Sequence, residues 1–286
     1  MTEASEKGGY VLDPESPAEL ARLINLDRFM TKGMGGPLSG LNDFSFLHTV
    51  LDMGCGPGGW ALDVAFDHPG IEVSGVDIST IMIDYANARA STQKLLNASF
   101  GIMDITQPLD FADGTFDLVN ARFLFSVLLQ KQWPIFLAEC TRLLRPGGIL
   151  RLTELIDGGA TTSPAKEEFH AFFCQALWRT GYGFSVNGRS IGVTIVLPHL
   201  VRNAGYQEVR HFMHALEVSS GTEAYMDFYR NSEIIYQLAK PYFLGTNVTT
   251  EKEFTQLYMQ MLIELSAEDF CGMWHYMTVV GVKPEA

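Results

Sequence analysis

The stretch Val50-Leu51-Asp52-Met53-Gly54-Cys55-Gly56-Pro57-Gly58-Gly59-Trp60 restricts the fold more than any other part of the chain. An apolar run of strand length enters a glycine-rich loop, and the loop opens directly into a helical pattern. A chain turns this tightly from strand to helix where side chains are absent, because only glycine reaches the necessary backbone conformations at little cost. From about residue 48 onward, short apolar runs alternate with helical patterns, the sequence form of βαβ units and a parallel sheet. Strands are expected near Thr49–Met53, Glu72–Asp77, Ser99–Met103, Phe116–Asn120, Gly148–Glu154, Glu208–Val218 and His275–Val282. Helices are expected after Ser79, over Trp133 to Leu144, and over Leu197–Ala204 before Gly205. The fold class is therefore α/β: a Rossmann-like, seven-stranded, doubly wound sheet with helical lid insertions.

Three regions stand outside this alternation. Residues 1–47 form an N-terminal helical segment, in which Ser16-Pro17-Ala18-Glu19 has the layout of a capping box with proline at the first helical position. Residues 157–196 insert after the fifth strand; there Ser163-Pro164 starts a helix with Phe169, Phe172, Phe173, Ala176 and Leu177 on one stripe. Residues 221–272 insert between the last two strands, with Thr250 and Glu253 as a second capping box and Phe254, Leu257, Tyr258, Met261, Leu262 and Leu265 as another stripe. The core sheet comprises 48–156, 197–220 and 273–286. The insertion 221–272 is expected to act as a lid, with a homodimer interface as its alternative use.

Composition removes several functional classes. Lys+Arg 20 against Asp+Glu 33 gives a net charge of −13, so a surface tracking nucleic-acid phosphates would start from repulsion. The N-terminus Met1 to Glu6 lacks a basic start leading into an apolar run, and no uncharged apolar stretch spans a bilayer; a cytoplasmic protein without a membrane partner is expected. Cys55, Cys140, Cys174 and Cys271 are scattered singly and read as reduced thiols. No metal site is expected, since neither paired His nor paired carboxylate spacing falls near the sheet's C-terminal edge.

Gly54, Gly56 and Gly59 satisfy the GxGxxG fingerprint, and Asp77 follows at the end of the next strand, where a carboxylate grips ribose hydroxyls. Alone, this pattern admits NAD, FAD or S-adenosylmethionine. Asp52 before the loop and Asp63 in the first turns of the helix oppose a pyrophosphate and favour a ligand bearing an ammonium and a sulfonium.

The strings VLDMGCGPGGWALDVA, VSGVDIS, MDITQPLDFADGTFDLVNARF and ECTRLLRPGGILRLTE, in their order and spacing, resemble the class I S-adenosylmethionine-dependent methyltransferases, closest to the small-molecule enzymes of the ubiquinone and menaquinone-biosynthesis type. The resemblance covers about Thr49 to Glu154 well and Leu197 to Val218 in part. It implies S-adenosyl-L-methionine as cofactor, S-adenosyl-L-homocysteine as product, and a cofactor site of Asp52, Gly54, Gly56, Gly58, Asp77, Ile78, Met103, Asp104, Ile105, Asn120 and Ala121. In that reading Asp77 accepts from the ribose hydroxyls, Asp104 faces the adenine amino group, and Ile105 or Met103 lies against the ring. Asn120, Ala121 and Arg122 sit beside the transferable methyl.

Methyl transfer is an in-line displacement that needs no universal base. Glu154, at the C-terminal end of strand five, and His170, on the aromatic insert, are the candidate bases, with Arg122 as a further catalytic candidate. The aromatic residues of both inserts suit a small, partly apolar acceptor: aromatic, polyketide-like or terpenoid. The competing readings are an enzyme of this fold that binds the cofactor but catalyses a cyclisation or rearrangement, an NAD-dependent oxidoreductase, and a dimeric binding protein.

Overall fold

The computed structural model describes residues 9–41 and 43–285. The reading of Met1 to Glu6 lies outside them. Strand β1 (Thr49–Met53) leads through the glycine loop into α2 (Gly59–Asp67), which follows the N-terminal helix α1 (Pro17–Gly33). Then come β2 (Glu72–Asp77), α3 (Thr80–Gln93), β3 (Ala98–Ile102), β4 (Phe116–Arg122), α4 (Trp133–Leu143) and β5 (Leu144–Leu155). The remaining elements are β6 (Ala160–Thr161), α5 (Pro164–Arg179), α6 (Val193–Asn203), β7 (Gln207–Glu217), α7 (Tyr225–Gly245), α8 (Glu251–Leu265) and β8 (Gly272–Val282).

The eight strands form one sheet in the order β3-β2-β1-β4-β5-β8-β6, with β7 also paired to β8. The pairs β1–β2, β1–β4, β2–β3 and β4–β5 are parallel, and β8 runs antiparallel to β5, β6 and β7. The strand order reverses beside β1, and in open sheets a crevice forms at such a point outside the carboxyl ends of the strands. All seven expected strands are present. The eighth, β6, is a two-residue pairing inside the first insert, too short to carry a periodicity signal.

Local chemistry accounts for most boundaries. Ser79 caps α3 by accepting from the Met82 N–H, and Ser163 caps α5 by accepting from the Lys166 N–H. Thr250 and Glu253 form the complete reciprocal box on α8. The Ser16 box is only half made, because the Glu19 side chain turns inward to Arg22 and Tyr10. Helix α6 begins four residues earlier than the sequence suggests, leaving Pro198 inside it.

The two faces of the sheet bury separate apolar layers. One holds Trp133, Phe136, Leu137, Leu197 and Val201 from α4 and α6; the other holds Trp60, Ala61 and Val64 from α2. A third cluster joins α1, α5, α7, α8 and β8 through Phe29, Phe169, Phe228, Phe243, Phe254 and Trp274. At its centre the Phe169 ring stacks on Tyr236 at 4.5 Å and meets Phe254 edge-on at 5.3 Å. Burying one such ring contributes about 1.5–3 kcal/mol. The two inserts are thereby one packed cap over the C-terminal edge of the sheet.

Candidate active site

A cavity of about 250 Å³ runs from the glycine loop to this helical cap. Asp52, Gly54, Gly56, Asp77, Ile78, Asp104, Ile105, Arg122 and His170, all anticipated from sequence, line it.

The anchoring of each acid follows from the strand register. Asp52, Asn120 and Arg151 occupy paired positions on β1, β4 and β5. Asn120 donates to Asp52 Oδ1 at 2.7 Å, and the buried Arg151 donates to Asn120 Oδ1 at 2.7 Å. This chain orients the Asp52 carboxyl while its Oδ2 stays buried without a hydrogen-bond partner. Burial pushes Asp52 up to about 6, only partly offset by Arg122 and Asn120. Such a group is incomplete without a donor, and an ammonium supplies one. Asp77 accepts from the Gly56 N–H at 2.9 Å and the Ser79 N–H at 3.0 Å, so both oxygens are held in place with lone pairs to spare. Asp104 uses only Oδ1 locally, accepting from the Thr106 N–H and hydroxyl.

Several expectations are revised by position. Glu154 does not line the cavity: its oxygens accept from the buried Leu124 and Phe125 N–H groups at 2.7 and 3.2 Å, bracing the turn after β4. Asn120 and Ala121 are fully buried beneath the loop, and Met103 packs into the core instead of the cavity. Gly58 faces Ala86 and Phe100, away from the cavity. His170 lines the cavity, but its Nδ1 accepts from the Gly158 N–H at 3.1 Å, and burial depresses its pKa to about 4. A neutral imidazole so engaged is a weak proton acceptor.

Sequence reasoning missed the contribution of the N-terminal segment. Gly9 to Leu12 and Pro14 line the cavity, held by Val11 donating to the Ser126 carbonyl, by Tyr182 donating to the Gly9 carbonyl, and by Ser79 donating to the Pro14 carbonyl. Asp27 from α1 pairs with Arg122, and a Cβ on Gly59 would collide with its Oδ2. A carboxylate therefore already occupies the N-terminus of α2, where a pyrophosphate would otherwise bind. No periodicity signal marks Asp27, because its role depends on the docking of α1. Among the described residues no cluster suited to a metal ion occurs, and no helix is long and apolar enough to cross a membrane.

Residues 50–148 match a family model described as a methyltransferase domain. The O-methyltransferase resE of Aspergillus sclerotiorum is 30% identical over 167 residues, covering 58% of this chain and 59% of that protein. The secondary metabolism regulator laeA of Coprinopsis cinerea is 29% identical over 138 residues, 48% of this chain and 28% of that one. The chain thus spans less than two thirds of the length of these relatives. A phosphoethanolamine N-methyltransferase 2 of Haemonchus contortus, solved with phosphomonomethylethanolamine and S-adenosylhomocysteine, shares the fold at 19% identity and a TM-score of 0.51, over 92% of this chain and 52% of that one. The family match thus marks residues 50–148 as a methyltransferase domain, and the ordered motifs, the reversed strand order and its glycine loop agree with it.

Proposed function

We propose that the protein transfers a methyl group from S-adenosyl-L-methionine to a small, partly apolar acceptor of aromatic, polyketide-like or terpenoid type, releasing S-adenosyl-L-homocysteine. The observation that carries this reading is a cavity that joins an acidic glycine-loop end to an aromatic helical end. Bound at the first end, the cofactor supplies an electrophilic methyl. Asp52 Oδ2 receives its ammonium, Asp77 its ribose hydroxyls and Asp104 its adenine edge, with Ile78 and Ile105 against the ring. Arg122 stays paired with Asp27 and positions α1 beside the loop. Neither Glu154 nor His170 serves as a base, so catalysis rests on proximity and exclusion of water. The name of the relative resE supports transfer over a cyclisation. The net charge of −13 supports a reading without a nucleic-acid partner.

S-adenosylhomocysteine is expected to raise the melting temperature, whereas NAD is not. Asp77→Ala should weaken S-adenosylhomocysteine binding by about 1.5–3 kcal/mol in calorimetry, the scale of hydrogen bonds to a charged acceptor. Stabilisation by NAD alone, or an Asp77→Ala variant of undiminished affinity, would contradict the cofactor site.

The segment 221–272, which contains α7 and α8, is proposed as a lid over the acceptor end, since Asn231, Ser232, Ile235 and Tyr236 of α7 line the cavity. Lids of this kind sequester the reaction from water. Amide hydrogen exchange in α7 should slow when S-adenosylhomocysteine and an acceptor are both bound. Exchange that responds to protein concentration and not to ligand would identify a subunit contact instead.

A further inference from the structure

Two helices face each other across the far end of the cavity, and each presents two residues one turn apart: Lys166 and His170 on α5, Ser232 and Tyr236 on α7. Lys166 is 2% exposed. Its Nζ donates to the Gly158 carbonyl at 2.6 Å and lies 5.3 Å from the ring centroids of both Phe228 and Tyr236. An ammonium has three donors, and a carbonyl with two ring faces does not replace a counterion. Among the described residues no carboxylate lies within ion-pairing distance of it. The nearby acids are engaged elsewhere: Asp157 with His275 and the Gly159 N–H, Glu167 with the Thr161 N–H. Ser232 Oγ, in a residue 1% exposed, lacks any hydrogen-bond partner. With His170 Nδ1 accepting from the Gly158 N–H, its Nε2 carries the proton and is directed at Cys174 Sγ, 3.4 Å away.

The lining of this end of the cavity thus offers donors and no carboxylate, in a chain whose net charge is −13. Phe173, Ile235 and Trp274 supply apolar walls around those donors. A buried cation without a partner is costly, and a ligand that brings an anionic oxygen on an apolar body removes the penalty. We infer that this end selects acceptors bearing an acidic hydroxyl on a conjugated body, a phenol or an enol, and holds them as the oxyanion against Lys166 Nζ and Ser232 Oγ. The inference rests on the methyl-transfer reading and names its substrate class. On binding, the hydroxyl proton passes to solvent, and Lys166 remains an ammonium throughout. Burial pulls Lys166 down to about 8, which leaves it mostly protonated near neutrality, and an adjacent oxyanion reinforces that state.

The test uses the full chain saturated with S-adenosylhomocysteine and 4-nitrophenol as the probe, at a pH where the free dye is mostly protonated. The bound dye should show the absorption band of its phenolate, and 4-nitroanisole, which has no acidic proton, should bind at least about tenfold more weakly. Lys166→Met should weaken 4-nitrophenol by about tenfold or more and leave the bound fraction neutral, with S-adenosylhomocysteine affinity unchanged. Ser232→Ala should weaken it about threefold to tenfold, and it reads the same site if Lys166→Met does not fold. Neutral dye on the wild type, no binding of it, equal affinity for the anisole, or both variants retaining wild-type affinity would overturn the assignment. Failure to bind S-adenosylhomocysteine would instead defeat the cofactor site while leaving the dye measurement interpretable.

Discussion

Glu154→Ala is expected to destabilise the protein by about 2–6 kcal/mol, because it leaves two buried donors without acceptors at about 1–3 kcal/mol each. Those donors are the Leu124 and Phe125 N–H groups, and the residue before them, Phe123, has φ of +59°. A non-glycine residue in that conformation persists where its surroundings over-determine it, and Glu154 supplies part of that constraint. Since Phe123, Leu124 and Phe125 line the cavity, the brace also shapes the site at one remove. Denaturant unfolding near pH 6 measures the effect. Burial pushes the Glu154 carboxyl up to about 8. The folded state therefore holds its proton more tightly than the unfolded chain does, so this contribution is lost as pH rises from about 5 toward 8. Wild-type stability should decline across that window, and the variant should lack that part of the slope. A catalytic base would behave differently: the variant would keep its stability and lose turnover.

The sheet was legible because each strand is bounded by strong punctuation, as at Gly54 after β1 and Gly205 before β7. Helix starts at Ser79, Ser163 and Thr250 were equally plain, since a capping side chain is a local device that needs no tertiary information. That the glycine loop, Asp77 and Asp104 line one end of the cavity follows from the strands: the loop and Asp104 come just after a strand and Asp77 ends one, so sequence spacing is also spatial spacing. What escaped depends on long-range docking. Arg151 lies on the predicted β5, yet its partner Asn120 is visible only once β4 and β5 pair in register. Asp27 reaches Arg122 from a segment far earlier in the chain. Position at the end of β5 suggested that Glu154 opens into the crevice, but the carboxyl folds back onto the backbone of the neighbouring turn. No local pattern marks Lys166, because the rings that surround it come from α7.

Gly58→Ala is expected to cost about 2–5 kcal/mol of stability while leaving the cofactor affinity of the folded protein nearly unchanged. Gly58 has φ of +76°, a conformation that charges an alanine roughly 1–2 kcal/mol. Its Cβ would also lie 2.8 Å from both Ala86 Cβ and Phe100 Cε1, and overpacking of a close helix–strand contact adds about 1–3 kcal/mol. The strain falls between the loop, α3 and β3, so it should appear in the unfolding midpoint. Gly56→Ala is the informative comparison. Its φ of +52° carries a similar backbone penalty, but the added methyl would meet only Leu23 Cδ1, at 3.8 Å, on the cavity side. That variant should lose less stability and more S-adenosylhomocysteine affinity, because the methyl enters space the ligand needs. The two substitutions thus separate the glycine that packs the fold from the glycine that admits the ligand, with unfolding and calorimetry on each as the measurement. If Gly58→Ala weakened binding as strongly as Gly56→Ala without a larger loss of stability, both loop glycines would serve the ligand directly.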